Sequence, residues 1–207
     1  MPEESNFDLR NIAEFLWEMI KTAITVVIIV YLIKTYIFQL FSVDGQSMEP
    51  TMHHKEMLLV DKLSYFFRSP GRGEIIVFEK PDAKNINFIK RIIGLPGETL
   101  EIHNNQVTIK NDEHPEGIVL EEEYIPNDYP TNGDYEYQIA ENEVFVMGDN
   151  RTNSQDSRVL GPINQDQIIG RALFVYWPIN EAFWIFSPTY NLNLIYLNSN
   201  FIGTPDS

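Results

Sequence analysis

The sequence predicts a mainly β protein: an antiparallel domain of packed or partly closed sheets, preceded by a single N-terminal membrane-spanning helix. Three observations carry that expectation. The segment from Phe15 to Phe41 is strongly apolar and charged only at Glu18, Lys21 and Lys34. Past residue 55, short runs rich in Val, Ile and Phe alternate with Pro and Gly punctuation. No long stretch of helical period follows the first segment, which leaves sheet-on-sheet packing as the way to build a core.

The anchor comes first. From Thr22 to Ile33 the chain reads TAITVVIIVYLI without a charge. A spanning helix needs about 20 mostly apolar residues, roughly 30 Å at 1.5 Å each. Lys21 and Lys34 extend the span by snorkelling, and Trp17, Tyr31 and Tyr36 suit the interface. A buried core helix is the alternative. A cleaved secretory leader fits less well, since it wants a basic start and small residues at its cleavage site. Here the first twenty residues hold Glu3, Glu4, Asp8, Glu14 and Glu18 against Arg10, and the bulky KTYIFQLF follows the apolar run. A retained anchor over 15–41 is expected, behind an N-terminal segment 1–14. Basic residues are sparse on both sides, so charge does not set its orientation.

Strands follow. EMLLVDKL, GEIIVFEK, NFIKRIIG, QVTIK, NEVFVMGD and GRALFVYWP have the composition of strands, with loops at Pro70 to Gly73 and at Pro96-Gly97. A chain of 207 residues suits one such domain, over 42–179. In NFIKRIIG a period of two places Phe88, Lys90 and Ile92 on one face and Ile89, Arg91 and Ile93 on the other. Lys90 then has apolar neighbours on its own side. The plain alternative is an edge strand whose lysine reaches solvent. The tail, 180–207, offers Trp and Phe residues for a closing strand or a membrane-contacting flap.

Composition removes several function classes. A net charge of −15 argues against nucleic acid, which requires clustered Lys and Arg. Between Asn111 and Asn150 there are twelve Asp or Glu residues and no Lys or Arg. Without an EF-hand pattern, this is expected to be a solvated face or an insertion, about 111–143, rather than a cation site. The absence of cysteine excludes a thiol nucleophile, a disulfide framework and a Cys-type zinc site. His53, His54, His103 and His114 sit in no nucleophile-elbow pattern and are expected as surface or packing residues. Adjacent His53 and His54 make a poor metal pair without further ligands. No metal or cofactor is expected.

The stretch VDGQSMEPTM, residues 43–52, sets Ser47 between Gly45 and Met48 with Pro50 behind. Gly45 permits backbone conformations closed to other residues, and Pro50 restricts the chain just after the serine. Such a turn either displays a hydroxyl or is an ordinary loop. The stretch alone does not decide.

Three segments together do. SMEPTM at 47–52, FIKRIIGLPGE at 88–98 and MGDNRTNSQDSR at 147–158 resemble, in that order, the motifs of type I signal peptidases. VDKLS at 60–64 and GRGEIIVF at 71–78 are similar to the segment that joins them. The resemblance runs from the anchor to about Pro178 and is to the Gram-positive type, with one anchor and a compact catalytic domain. It implies that Ser47 is the nucleophile and Lys90 the general base of a Ser/Lys dyad. Ser154 matches a serine that orients the lysine amine, and Met48 the methionine beside the nucleophile. Arg91 with Asp149, and Arg158 with Asp156, match supporting ion pairs. At position 45 some members carry a serine whose hydroxyl helps to form the oxyanion hole. Here it is Gly45, so backbone N–H groups, including that of Ser47, must do more of that work.

The resemblance further implies removal of signal peptides from exported preproteins with small residues at minus-one and minus-three. It places the protein in the plasma membrane, single-pass, with the catalytic domain on the extracytoplasmic side. The aromatic trio YFF at 65–67 would suit contact with the lipid bilayer or core packing. Two rivals stay open: a different Ser/Lys peptidase, such as a self-cleaving regulatory protease, and a catalytically silent relative acting as an assembly or binding partner. The chemistry sets one requirement. A lysine in water has a pKa of about 10.4, so only about one in 2,500 is neutral at pH 7. Lowering it to about 8 means disfavouring the ammonium by roughly 3 kcal/mol, within what burial supplies. Phe88 and Ile92 are the right neighbours, and Arg91, if close, would add like-charge repulsion.

Overall fold

The computed structural model describes residues 9–81 and 83–191. Helix α1, Leu9–Leu32, continues as a wider π-type turn over Ile33–Ile37, closed by the Phe38 N–H on the Ile33 carbonyl. Inside α1 the Thr22 and Thr25 hydroxyls each donate to a carbonyl one turn back, at 2.9 Å. Polar side chains satisfied within their own helix are what an apolar surrounding demands. The span Arg10–Ile37 is 28 residues long, apolar enough to cross a membrane, and 0% buried against the rest of the protein. That removes the core-helix reading.

The helical winding ends four residues before the expected end of the anchor. Phe38–Ser42 is a strand, β1, paired antiparallel with β2, Met57–Asp61. An uninterrupted apolar run hides the change of period; what fixes it is the partner, since β2 supplies a ladder for FQLFS.

The main sheet runs β1-β2-β11-β3-β4-β9-β10, with β12 beside β11. Its other members are β3 (Ile75–Glu79), β4 (Asn87–Gly94), β9 (Glu143–Met147), β10 (Ile163–Asn164), β11 (Ile168–Trp177) and β12 (Phe183–Trp184). A smaller sheet, β7-β6-β5-β8, is built from β5 (Thr99–His103), β6 (Gln106–Lys110), β7 (Ile118–Val119) and β8 (Tyr135–Gln138). The pairings given by the register are all antiparallel. The six strand-like runs of the sequence all contain strands. β12 answers part of the question about the tail: Phe183 and Trp184 close the sheet beside β11. The remainder of the tail, 192–207, lies outside the described residues.

Burial explains why some strands read as continuous apolar runs. In β3, Ile75 and Val77 enter one core cluster with Val43, Met48, Met52 and Leu58, while Ile76 and Phe78 enter another with Ile92 and Val146. Both faces are covered, so alternation vanishes. β9 does the same, with Val144 and Val146 on one side and Phe145 and Met147 on the other. The second of those sides packs against Leu100, Ile102, Val107 and Ile109 of the smaller sheet. Two core layers therefore grip β4 and β9, the strands that carry the polar residues described next.

Candidate active site

Ser47 stands half-buried on the turn between β1 and β2. Gly45, two residues earlier, has φ of +107°, a conformation that L side chains rarely adopt. Met48 and Met52 point inward and are almost wholly buried, which fastens the turn to the core. The Ser47 carbonyl accepts from the Asn150 N–H at 3.0 Å. That approach depends on Gly148, where a Cβ would collide with the Ser47 carbonyl and with Ser154 Oγ. Glycine here is a matter of clearance.

Lys90, 43 residues away, comes from β4. Its Nζ lies 2.7 Å from Ser47 Oγ and donates to the Ile89 carbonyl at 2.8 Å. The side chain is 4% exposed, and Nζ sits 5.2 Å from the centre of the Phe88 ring, on the same strand face. Burial lowers its pKa from 10.5 to about 8, against the opposing pull of Asp156 and Asp149. The expected repulsion from Arg91 is not among the causes. Arg91 points to the other face, where Nε and Nη2 donate to the two carboxylate oxygens of Asp149 at 2.8 and 2.6 Å. Its Nη1 donates to the Gly73 carbonyl, and its guanidinium lies 4.3 Å from the Tyr124 ring centre. Burial disfavours the charged guanidinium, but Asp149 outweighs that and raises the Arg91 pKa.

Asp149 also accepts from the Thr51 hydroxyl at 2.6 Å. One carboxylate thus ties β4, the end of β9 and the serine turn together. Asp156 makes a second clamp. Its oxygens accept from Arg158 Nε and Nη2 at 2.9 and 2.8 Å and from the Gly148 N–H at 3.0 Å. It also caps the short helix α2, Ser157–Leu160. Burial pushes the Asp156 carboxyl up, but these donors, Arg158 first, hold it below its usual value. The two ion pairs of the sequence reading, Arg91–Asp149 and Arg158–Asp156, are both formed.

Ser154 lies beside Gly148, its Oγ buried and, among the described residues, without a hydrogen-bond partner. The hydroxyl is near enough to Asp156 to help hold that carboxyl low, but it makes no bond of normal geometry to Lys90. The histidines divide. His53 and His103 are exposed, and His114 is partly covered. His54 is exposed as well, and in addition its Nδ1 accepts from the Gly45 N–H at 3.1 Å. A backbone donor leaves no mark in the sequence.

Arg151 was also missed. It is fully buried, with Nε on the Gly148 carbonyl and Nη1 on Glu122 and Thr131. Glu122 and Thr131 belong to the acidic stretch, so that stretch braces the Gly148–Arg151 turn as well as meeting solvent. Among the described residues no group of His, Cys, Asp or Glu forms a metal-binding set.

Ser47 and Lys90 open into a cleft of about 740 Å³, lined by Phe41, Val43, Gly45, Met48, His54 and Phe88 among others. A second cleft, about 790 Å³, lies at Arg72, Glu98 and Asn111. There Arg72 and Asn111 already bond Glu98, and no hydroxyl–amine pair is present. Of the two, the first cleft is the one that holds a hydroxyl and an amine in contact.

Comparison with known proteins identifies the family. The family described as Signal peptidase, peptidase S26 matches residues 16–177. The chain is 38% identical over 175 residues to "Signal peptidase I" of Leptolyngbya laminosa, covering 80% of this chain and 82% of the relative. It is 35% identical over 185 residues to "Signal peptidase I" of Bacillus licheniformis, covering 87% and 97%. It is 36% identical over 175 residues to "Signal peptidase I S" of Bacillus subtilis strain 168, covering 79% and 90%. With a hydroxyl and a buried amine in contact, and a match over most of its length, the chain belongs to the signal peptidase family, peptidase S26.

Proposed function

We propose that this serine endopeptidase, which removes signal peptides from exported preproteins, does so with Ser47 as nucleophile and Lys90 as general base. The observation that carries the assignment is the 2.7 Å contact between Ser47 Oγ and a lysine amine held out of water. Ser47 Oγ attacks the scissile carbonyl carbon while its proton passes to the neutral Lys90 Nζ. The oxyanion collapses, the peptide C–N bond breaks, and the leaving amine takes the proton from Lys90. Water, deprotonated by the same amine, then hydrolyses the ester. The backbone N–H of Ser47 is a donor for the oxyanion, and Asp149 and Asp156 hold the surrounding turns in place. Ser154, whose hydroxyl is buried beside Asp156 and without a hydrogen bond of normal geometry among the described residues, is the group we read as orienting the Lys90 amine.

Substrates are read as preproteins with small residues at minus-one and minus-three, bound in the cleft beside Ser47. Phe41, Val43 and Met48 are among the apolar residues that line it. The lipid bilayer is the second partner. Strand register puts Leu40, Leu59, Phe174 and Trp184 in one row across β1, β2, β11 and β12, with Met57 opposite Trp177 on the same face. That face is apolar and turned outward, and Trp184 is 60% exposed. The YFF trio splits: Tyr65 bonds Glu74 inside, while Phe66 and Phe67 project. Exposed apolar area of this kind suits headgroup contact. A single span of α1 in the plasma membrane, with the sheets on the extracytoplasmic side, is the placement we propose.

The test is cleavage of a synthetic signal peptide with alanine at minus-one and minus-three by the full chain in detergent. Ser47→Ala should be blank. Ser154→Ala should lower the single-turnover acylation rate by roughly 10²–10³ with an unchanged melting curve. The wild-type rate should rise with pH and level off near 8, the value to which burial brings Lys90. A maximum near pH 5 would replace the amine by a carboxylate base. A wild type that cuts nothing would leave the silent binding partner as the reading.

A further inference from the structure

The turn that presents Ser47 begins at the Gly45 peptide, which must itself be held in place. The backbone cannot hold it unaided, because Gly45 has no side chain to pack and a φ of +107°. Among the described residues its N–H donates to His54 Nδ1 alone, at 3.1 Å. That same Nδ1 lies 3.5 Å from Asp44 Oδ1. One nitrogen therefore stands before two partners that need it in opposite states. To accept from Gly45 it must carry a lone pair; to bind the Asp44 carboxylate it must carry a proton.

We propose that His54 is a positioning residue of the Ser/Lys site, locking the Gly45 peptide when its imidazole is neutral and releasing it to face Asp44 when protonated. The inference rests on the Ser47–Lys90 reading and adds to it a second proton that must be absent. No bond to substrate is required of His54; it acts through the turn that presents Ser47.

The surroundings leave this choice to the two partners. On the same turn, Glu49 faces His53 at 3.9 Å and Glu56 accepts from the His53 N–H. Lys55 is next in sequence, and Lys90 lies across the cleft, engaged with Ser47. Asp44 is the carboxylate that meets His54. His54 is 46% exposed at its side chain, so solvent protons reach it freely. Imidazole is the side chain whose charge ordinarily changes between about pH 5 and 8.

The consequence is a slope. Below the Lys90 pKa of about 8, loss of one neutral amine lowers the rate tenfold per pH unit. Once His54 also takes a proton the Gly45 peptide loses its acceptor, and the acid limb steepens until a further loss of roughly tenfold, the scale of one hydrogen bond, has been added. The experiment measures kcat/KM from pH 5 to 9 with a peptide lacking histidine. His54→Ala removes the acceptor, and should lower kcat/KM at pH 8.5 by roughly tenfold, the scale of one hydrogen bond. Asparagine can place its Oδ1 where Nδ1 stood and cannot be protonated, so His54→Asn should recover most of that loss. Both variants should keep a single-proton acid limb where the wild type steepens. If the wild type keeps a single slope down to pH 5, or both variants steepen as it does, the proposal is overturned. If His54→Asn is as poor as His54→Ala, the acceptor role is gone too. Failure of the dyad itself has a separate signature: a Ser47→Ala variant that still cuts.

Discussion

The two faces of β4 put similar charges into opposite states. Lys90 and Arg91 are consecutive, 4% and 3% exposed, and both lose hydration on folding. On the Arg91 face a bidentate carboxylate and the Tyr124 ring replace the lost water, and the guanidinium stays charged. On the Lys90 face the neighbours are Phe88, a carbonyl and a hydroxyl, and the ammonium becomes easy to deprotonate. Burial supplies the same push to both. The partner decides which residue gives up its proton easily and which stays charged.

The largest break in that contrast comes from exchanging the cation type. Lys90→Arg keeps a long cationic side chain but cannot give up its proton, so its activity should fall by about 10⁴-fold or more, as far as in Lys90→Ala. Adding Ser47→Ala should cost little further, because one step uses both groups. Single-turnover kinetics in detergent measure this, and appreciable cleavage by the arginine variant would end the neutral-amine mechanism.

On the opposite face the expected loss is stability. Arg91→Met leaves Asp149 buried and unpaired, at a cost of about 3–5 kcal/mol. Adding Asp149→Asn should recover part of it, since the stranded charge is then gone. A double variant that melts below the single one would show that the pair matters through packing alone.

The smallest effect carries a sign. The unfolded chain holds the Lys90 proton up to about 10.5, while the folded chain gives it up near 8. Between those values the unfolded state binds more protons, so folded stability rises with pH. Below 8 the full penalty, about 3 kcal/mol, applies. Lys90→Met should therefore melt higher than the wild type at pH 7 and lose that advantage as pH approaches 10.5. Equal melting temperatures at pH 7 would mean that the buried ammonium costs nothing.

How much of this the sequence carried depended on distance along the chain. The six Val- and Ile-rich runs were legible because their composition suits a strand wherever it pairs. β1 was not, because FQLFS continues an apolar run and only its ladder with β2 ends the helix. β5 and β8 alternate, but Glu101, His103, Glu136 and Gln138 dilute them. β7, β10 and β12 are two residues each and exist only through their neighbours. The apolar side of Lys90 followed from a period of two. Its meeting with Ser47 did not, since registers of several strands set it, and there the family resemblance supplied the expectation. Gly148, His54 and Arg151 act through backbone atoms or a distant loop, and local pattern does not record such partners.

One feature of the fold also sets a length. No slack separates α1 from the sheet: Lys62 donates through its N–H to the Ile37 carbonyl and through Nζ to the Thr35 carbonyl, at 2.9 and 3.0 Å. β1 leaves at once, and five strand residues at about 3.3 Å each give roughly 17 Å before the turn that carries Ser47. A free tether of that contour would let the serine wander over a hemisphere. This one behaves as a stiff post, so with α1 in a bilayer the nucleophile sits at a fixed height above it. On the placement proposed above, a preprotein whose own apolar segment lies in the same bilayer would have to bring its scissile bond to that height.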